Sequence, residues 1–256
     1  SFLVKVGDVI EVREKSRSSV KFKRLLGEDA VVVNVPKWLD HAKNTLQGKV
    51  VALPARDDID FPVDYYTDVM KRQAVVNAGV TFRFREETSA GRFSTTDFRY
   101  DNGILDYVTE LAGEEPLTQP VFWQTERKGR DRADKPEYKV KLSVSFCFSN
   151  RVSVVEHFQM SSWLEHGGSP EKAMKSAFVS ALDAYLKQQN KYQKNEAKIS
   201  FNDIQDALVL VSNNFSTQTS YENQTKKANN NKFVQEAMTD FLRAQLEVYF
   251  IENPQD

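Results

Sequence analysis

The chain has 256 residues, 40% of them hydrophobic, and a formal net charge of −1. That content is ample for a sizeable core in one or two domains, and the charge balance confines any nucleic-acid contact to local patches. No apolar run approaches membrane-spanning length, no signal peptide opens the chain, and the lone Cys147 excludes an internal disulfide, so a cytoplasmic protein is expected. The start at Ser1 without a methionine reads as the mark of a fragment.

Ser1–Val12 predicts two short strands, Leu3–Val6 and Val9–Val12, joined by a turn at Gly7-Asp8. A basic run follows, containing Arg13, Lys15, Arg17, Lys21, Lys23 and Arg24 and opposed only by Glu14. Such a run binds phosphate backbone or remains a solvated charged loop. VPKWLD then marks a tryptophan-anchored turn, and a strand is expected near Lys49–Leu53. Asp57, Asp58 and Asp60 lack the glycine and distal glutamate of an EF-hand, so they read as a solvated loop.

Tyr65–Ala78 has helical spacing and ends at Gly79, in the position of a C-terminal cap. Val80–Arg85 alternates as a half-exposed strand, Glu86–Phe93 reads as a charged turn, and Phe98–Tyr100 as the returning partner. Ile104, Leu105, Tyr107, Val108 and Leu111 form one helical face. Val121–Thr125 is a further strand, followed by a surface hairpin loop, ERKGRDRADK. Tyr138–Phe148 is the cleanest period-two stretch, a long antiparallel strand with Arg151–Phe158 as its expected partner across Ser149-Asn150. By that parity Cys147 falls on the polar face, so its burial has to come from another element.

Ser169 suits an N-cap and Pro170 the first position of a helix whose apolar face is Met174, Ala177, Phe178, Ala181, Leu182 and Tyr185. Gly167-Gly168 before it is either an anion-binding turn or a structural one; without a third glycine and a lysine, the structural reading is favoured. His41, His157, His166 and Cys147 have no metal-ligand spacing. Ser200 and Asp203 form a capping pair. Ala207–Val211 is an apolar run, the pattern of a strand buried on both faces. It leads into a polar loop ending in Gln224-Thr225-Lys226, whose amide and ammonium suit an anionic ligand. Asn229–Asn231 opens a final helix with the stripe Phe233, Ala237, Phe241, Ala244 and Tyr249, ended by Asn253-Pro254.

From about Tyr65 to Asp256 the order of motifs resembles the transducer domain of type IIA DNA topoisomerase B subunits, those of gyrase and topoisomerase IV. The residues that carry it are Asn102-Gly103-Ile104, Pro120-Val121-Phe122-Trp123, Gly167-Gly168-Ser169, Gln224-Thr225-Lys226 and Glu252-Asn253-Pro254. The resemblance implies an α+β, ribosomal-S-five-like fold in which a mixed sheet has helices packed on one side. It implies that Lys226 reaches the γ-phosphate of ATP held in the preceding domain, assisted by Gln224, and that the segment relays ATP binding and hydrolysis to DNA strand passage. ATP and Mg, duplex DNA, the topoisomerase A subunit and a homodimer belong to the full enzyme; this chain alone is not expected to be active. Residues 1–64, through VKVGDVIEVREKS, VPKWL and GKVVALPARDDIDFPV, resemble instead the C-terminal end of the S-four family of small-subunit ribosomal proteins, a small β-rich segment. That implies ribosomal RNA as a partner, through the basic run named above. The alternative functions are therefore a ribosomal RNA-binding protein or a non-enzymatic chimeric interaction module. A natural gene, an engineered fusion and a mis-assembled frame all produce such a join, and the coding DNA across Asp64–Tyr65 distinguishes them.

Overall fold

The computed structural model describes residues 3–19, 22, 35–41, 45–54, 62–222 and 224–254. Lys21, Lys23, Arg24, Asp57, Asp58 and Asp60 lie outside them. The chain divides into two compact units, Ser1–Val63 and Asp64–Asp256.

The first unit contains β1 (Val9–Glu11), α1 (Glu14–Arg17), β2 (Leu39–Asp40) and β3 (Gln47–Val50), with an antiparallel sheet ordered β1-β3-β2. The turn forms at Val6-Gly7, one residue before the expected Gly7-Asp8, and Leu3–Val6 is not a strand. Asp8 folds back on Lys5, accepting its N–H at 2.8 Å and donating to its carbonyl at 3.0 Å. Gly7 N–H meanwhile donates to Val50 at 2.7 Å, which hands β1 to β3 rather than to residues 3–6. The third strand begins two residues earlier than expected, at Gln47, and its Val50 is buried while Val9 and Ile10 stay exposed.

The second unit runs α2 (Val63–Val76), β4 (Phe82–Ser89), β5 (Arg92–Phe98), α3 (Ile104–Ala112), β6 (Val121–Gly129), β7 (Tyr138–Phe148), β8 (Val154–Gln159), β9 (Ser162–Trp163), α4 (Ser169–Gln188), α5 (Phe201–Gln205), β10 (Leu208–Ser216) and α6 (Lys232–Glu252). Strands β4 and β5 pair with each other, and the expected charged turn shrinks to Ala90-Gly91. The charges there are strand residues that pair across the ladder: Arg83 donates two hydrogen bonds to Asp97, each 2.7 Å, and Arg85 covers the Phe93 ring.

The remaining strands form a sheet ordered β6-β7-β10-β8-β9. Strand β8 does not pair with β7 across Ser149-Asn150 as expected. β10 lies between them, antiparallel to β7 and parallel to β8. A parallel pair needs a crossover, and α4 and α5 occupy it. Ser149 N–H binds Ala207 O at 2.8 Å, tying the end of β7 to the start of β10 where a hairpin would otherwise close. The short β8–β9 turn has Met160 and Ser161 both in the left-handed region, φ 51° and 65°, the geometry of a two-residue hairpin.

Helices cover both faces of this sheet, not one. On the first face, Leu142, Val144 and Phe146 of β7 and Leu208 and Leu210 of β10 meet Met174 and Phe178 of α4 and Met238, Leu242 and Leu246 of α6. On the second, Val209, Val211, Cys147 and Phe158 meet Ile104, Tyr107 and Val108 of α3 and Ala74 and Val75 of α2. Cys147 thus sits on the face opposite the main core and is buried by α3, which raises its thiol pKa to about 11. The α4 stripe buries as read, with Leu182 and Tyr185 half-buried at its margin, but Gly168 rather than Ser169 is the cap. In α6 the buried stripe is Val234, Ala237, Met238, Phe241, Leu242, Leu246, Tyr249 and Phe250, and Ala244 faces solvent.

Beside α3, Glu156 projects from β8 toward Tyr107 and Arg72, and its Oε2 is buried with no hydrogen-bond partner among the described residues. Burial raises its pKa against the pull of Arg72 and the Tyr107 hydroxyl. A raised carboxyl pKa means that ionisation costs more in the folded state. The penalty is absent below the unfolded value, about 4.3, and complete above the folded one. Glu156→Gln is therefore expected to raise unfolding free energy at pH 7 by up to about 1 kcal/mol, the gain vanishing toward pH 4. Urea denaturation at both pH values measures it.

Candidate functional site

The polar loop between β10 and α6 has an anchored base and an exposed tip. At the base, Ser216 Oγ donates to Gln218 O at 2.8 Å or pairs with Thr219 Oγ1 at 2.7 Å, and it accepts Gln159 Nε2 at 3.0 Å. Asn231 Oδ1 accepts Ser220 N–H at 2.7 Å and Asn229 Nδ2 at 3.0 Å. Ala228, Asn229 and Asn231 are buried; Gln224, Thr225 and Lys226 are exposed. The local asparagine and serine bonds replace a ladder that this sequence cannot form.

The returning arm is docked against the turn before α4. Lys227 O accepts His166 N–H at 2.9 Å, Asn229 O accepts Ser169 N–H at 2.8 Å, and Asn229 N–H donates to Gly167 O at 3.2 Å. Lys227 and Glu165 form an ion pair. Gly168 has φ 94°, and a Cβ there would fall 2.1 Å from Asn229 O. The Gly167-Gly168 pair therefore serves close backbone approach: Ser169 N–H, which an anion would need, is already committed to Asn229.

The start of α6 is held from elsewhere in the chain. Asp131, in the loop after β6, accepts Phe233 N–H at 2.8 Å, Asn231 Nδ2 at 2.9 Å and the Tyr138 hydroxyl at 2.7 Å. Burial opposes its ionisation, but these donors win and hold its pKa below the usual carboxylate range. Sequence reasoning assigned this residue to a charged surface loop. The only available signal was an aspartate within a hairpin, and its partners are about a hundred residues away.

Lys226 sits at the tip with φ 57°, left-handed for a lysine, and its Nζ lies 5.9 Å from the centre of the Tyr221 ring. Tyr221 is itself pinned, its hydroxyl donating to Gln159 O at 3.3 Å and its backbone bridging Asn229. Among the described residues no carboxylate stands within 4.0 Å of the Lys226 ammonium. Gln224 lies two residues away on the same exposed turn. The ammonium offers donors only and the amide adds two N–H donors beside its carbonyl acceptor, a set that fits phosphate oxygens. No group of three or more His, Cys, Asp or Glu among the described residues stands together to hold a metal ion.

The basic run is only partly within the described residues. Arg13 and Lys15 are exposed. Arg17 is committed: it donates to Val12 O at 2.9 Å and pairs at 3.2 Å with Glu11, which also accepts Gln47 Nε2. The expectation that Glu14 alone opposes the run is thus corrected by Glu11.

A mixed sheet with this helical cover is the fold of type II topoisomerase ATP-binding subunits. The topoisomerase IV ATP-binding domain of Francisella tularensis, solved with a small-molecule inhibitor, matches with a TM-score of 0.59 at 17% identity over 84% of this chain and 56% of that one. The DNA gyrase B family model matches residues 103–256, and the chain belongs to that family. The DNA gyrase B protein of Mycoplasmoides gallisepticum is 24% identical over 204 residues, 78% of this chain and 31% of that protein. Over 63 residues, 25% of its length, this chain is 56% identical to the small ribosomal subunit protein uS4 of Acetivibrio thermocellus, 30% of that protein. The chain spans about a third of the length of either relative.

Removing the Asp131 carboxylate strips α6 of its cap and leaves the Tyr138 hydroxyl without its acceptor. Asp131→Ala is expected to cost about 2–3 kcal/mol at pH 7 by denaturant unfolding. Because the folded pKa is depressed, the carboxylate's contribution is present above about pH 4 and is lost as pH falls through the folded value. The gap between wild type and variant should narrow accordingly in acid.

Proposed function

We propose that residues 65–256 are the transducer domain of a type IIA topoisomerase B subunit, coupling ATP binding and hydrolysis in a neighbouring domain to DNA strand passage. The observation that carries this is the tip of the loop: Lys226 and Gln224 project from a base fixed to β8, α4 and α6. On this reading Lys226 Nζ reaches the γ-phosphate of ATP, and Gln224 adds a neutral hydrogen bond. A positioned ammonium stabilises the charge that builds on phosphoryl oxygens more in the transition state than in the ground state. On this reading ATP is bound mainly by a neighbouring domain absent from this chain, and Mg belongs to the full enzyme. Duplex DNA, the A subunit, a second B subunit and the cytoplasm complete the assignment.

In a full-length B subunit carrying this segment, Lys226→Ala should lower ATP turnover by about a hundredfold or more while nucleotide binding persists. Gln224→Ala should cost less, and Lys226→Arg should not restore the rate, because the planar guanidinium is bulkier and delivers its charge differently. Gln218-Thr219-Ser220 is the internal control. It lacks a lysine, and only Thr219 meets the loop's base through its side chain, Gln218 and Ser220 doing so through backbone groups, so alanine at Thr219 should show as lost stability and alanine at all three should leave most turnover. Near-normal turnover in Lys226→Ala would return the loop to solvated surface.

For residues 1–64 we propose a ribosomal-S-four-like segment with weak RNA affinity through Arg13, Lys15, Lys21, Lys23 and Arg24, with Arg17 sharing its charge with Glu11. Its support is the 56% identity to uS4 over 63 residues. Filter binding should show RNA retention that falls steeply between 50 and about 200 mM salt and disappears when residues 1–64 are removed. Tight RNA binding by residues 65–256 alone would overturn the assignment.

A further inference from the structure

Lys226 and Lys227 are neighbours in the chain with different electrostatic fates. Lys227 is paired with Glu165, so its charge is neutralised within the fold. Lys226 has no ion pair among the described residues and lies instead over the Tyr221 ring, 5.9 Å from its centre and inside the roughly 6 Å reach of a cation–π attraction. Two other lysines lie over rings, Lys71 on Tyr107 and Lys175 on Phe201. Each of those also pairs with a glutamate, Glu110 at 2.6 Å and Glu171 at 2.7 Å. Among the described residues, Lys226 is therefore the lysine held over a ring without a counter-ion.

The ring itself is fixed at both ends. Its stretch of chain and the returning arm form a short ladder: Asn230 N–H donates to Ser220 O at 3.0 Å, Tyr221 bridges Asn229, and Glu222 N–H donates to Ala228 O at 3.0 Å. The hydroxyl donates to Gln159 O, at the end of β8, at 3.3 Å. Burial raises the pKa of this phenol, so it stays an uncharged donor. A tyrosine has two side-chain torsions and loses little entropy on being placed. The long lysine side chain has more to lose, and its backbone is already constrained at φ 57°.

We infer that Tyr221 is the positioning residue for Lys226: the face of its ring holds the ammonium at the tip of the loop, aimed for a phosphate oxygen, without neutralising it. The inference rests on the role proposed above for Lys226. A carboxylate in the same place would hold the side chain but cancel its charge and occupy its donors, as Glu165 does for Lys227. A ring attracts the cation through its quadrupole and carries no net charge. The ammonium has three N–H donors, and those turned away from the ring stay free for a ligand. Holding it in advance removes part of the entropic cost of aiming it, a gain realised in turnover.

Fluorinated phenylalanines separate attraction from shape, because each fluorine draws negative charge off the ring face and changes its outline little. In a full-length B subunit carrying this segment, Tyr221 is replaced by phenylalanine, by its mono-, di- and pentafluoro derivatives, and by leucine. Tyr221→Phe should keep kcat within about twofold, kcat should fall stepwise with fluorination, and Tyr221→Leu should lose about fivefold, all with KM for ATP nearly unchanged. The fluorinated series carries the test should Tyr221→Leu fold poorly. In the full 256-residue chain, labelled with 13C in lysine, the ε protons of Lys226 are assigned by their loss in Lys226→Ala. They should resonate upfield of a free lysine's through the ring current, and return to that position in Tyr221→Leu. A flat fluorine series, wild-type kcat in Tyr221→Leu beside a collapsed Lys226→Ala, or ε protons at the free-lysine position would each overturn the inference and leave the reading of Lys226 standing. Wild-type turnover in Lys226→Ala would overturn both.

Discussion

The second unit depends on a strand that has no free side. β10 is flanked by β7 and β8 and buried on both faces from Leu208 to Ser212. A strand in that position needs apolar residues without alternation and needs helices above and below. α4 and α6 cover one face, α3 and the end of α2 the other. The same placement compels the parallel pairing with β8, and so the crossover through α4 and α5. The turn before α4 and the loop after β10 emerge together at one end of the sheet as a consequence. Their backbone bonds, from His166 to Asn229, are the product of that topology.

What was legible in the sequence was local. The Ser200–Asp203 capping box forms as read, because its two bonds need only residues three apart. The period-two pattern of Tyr138–Phe148 gave β7 its limits but only one of its two covered faces, and the apolar run Ala207–Val211 gave β10 its burial but not its length, since the strand continues to Ser216. The parity of β7 even put Cys147 on the face opposite the main core, where α3 turned out to cover it. The misses concern partners distant in the chain. Nothing near Ser149-Asn150 says that β10 will insert between β7 and β8, since two adjacent apolar strands are equally consistent with a hairpin. Ala244 fits the α6 stripe by spacing, yet alanine is tolerated on either face of a helix and its direction is decided by tertiary packing.

The candidate site divides in the same way. Lys226 and Gln224 were singled out because their motif is contiguous. The groups that hold them were not: Asp131 acts across about a hundred residues, and Gly167-Gly168 across about sixty. Asp131 looked like one charge among several in ERKGRDRADK, and its role depends on Tyr138 and Asn231 arriving beside it. Gly167-Gly168 looked like a turn, and its requirement for glycine comes from Asn229 lying against it. In both cases the residue type was visible and the reason for it was supplied by a remote backbone.

Lys226 carries one more consequence, in its backbone rather than its ammonium. At φ 57° an L-residue with a side chain costs about 1 kcal/mol or more relative to glycine. The loop would be more stable with glycine at its tip, and asparagine would be less strained than lysine. On the role proposed for the ammonium, neither can replace it. The most stable sequence for this turn and the most active one are therefore different sequences. Selection for folding alone would remove lysine; on the proposed role, its presence there is strain retained for the sake of the side chain.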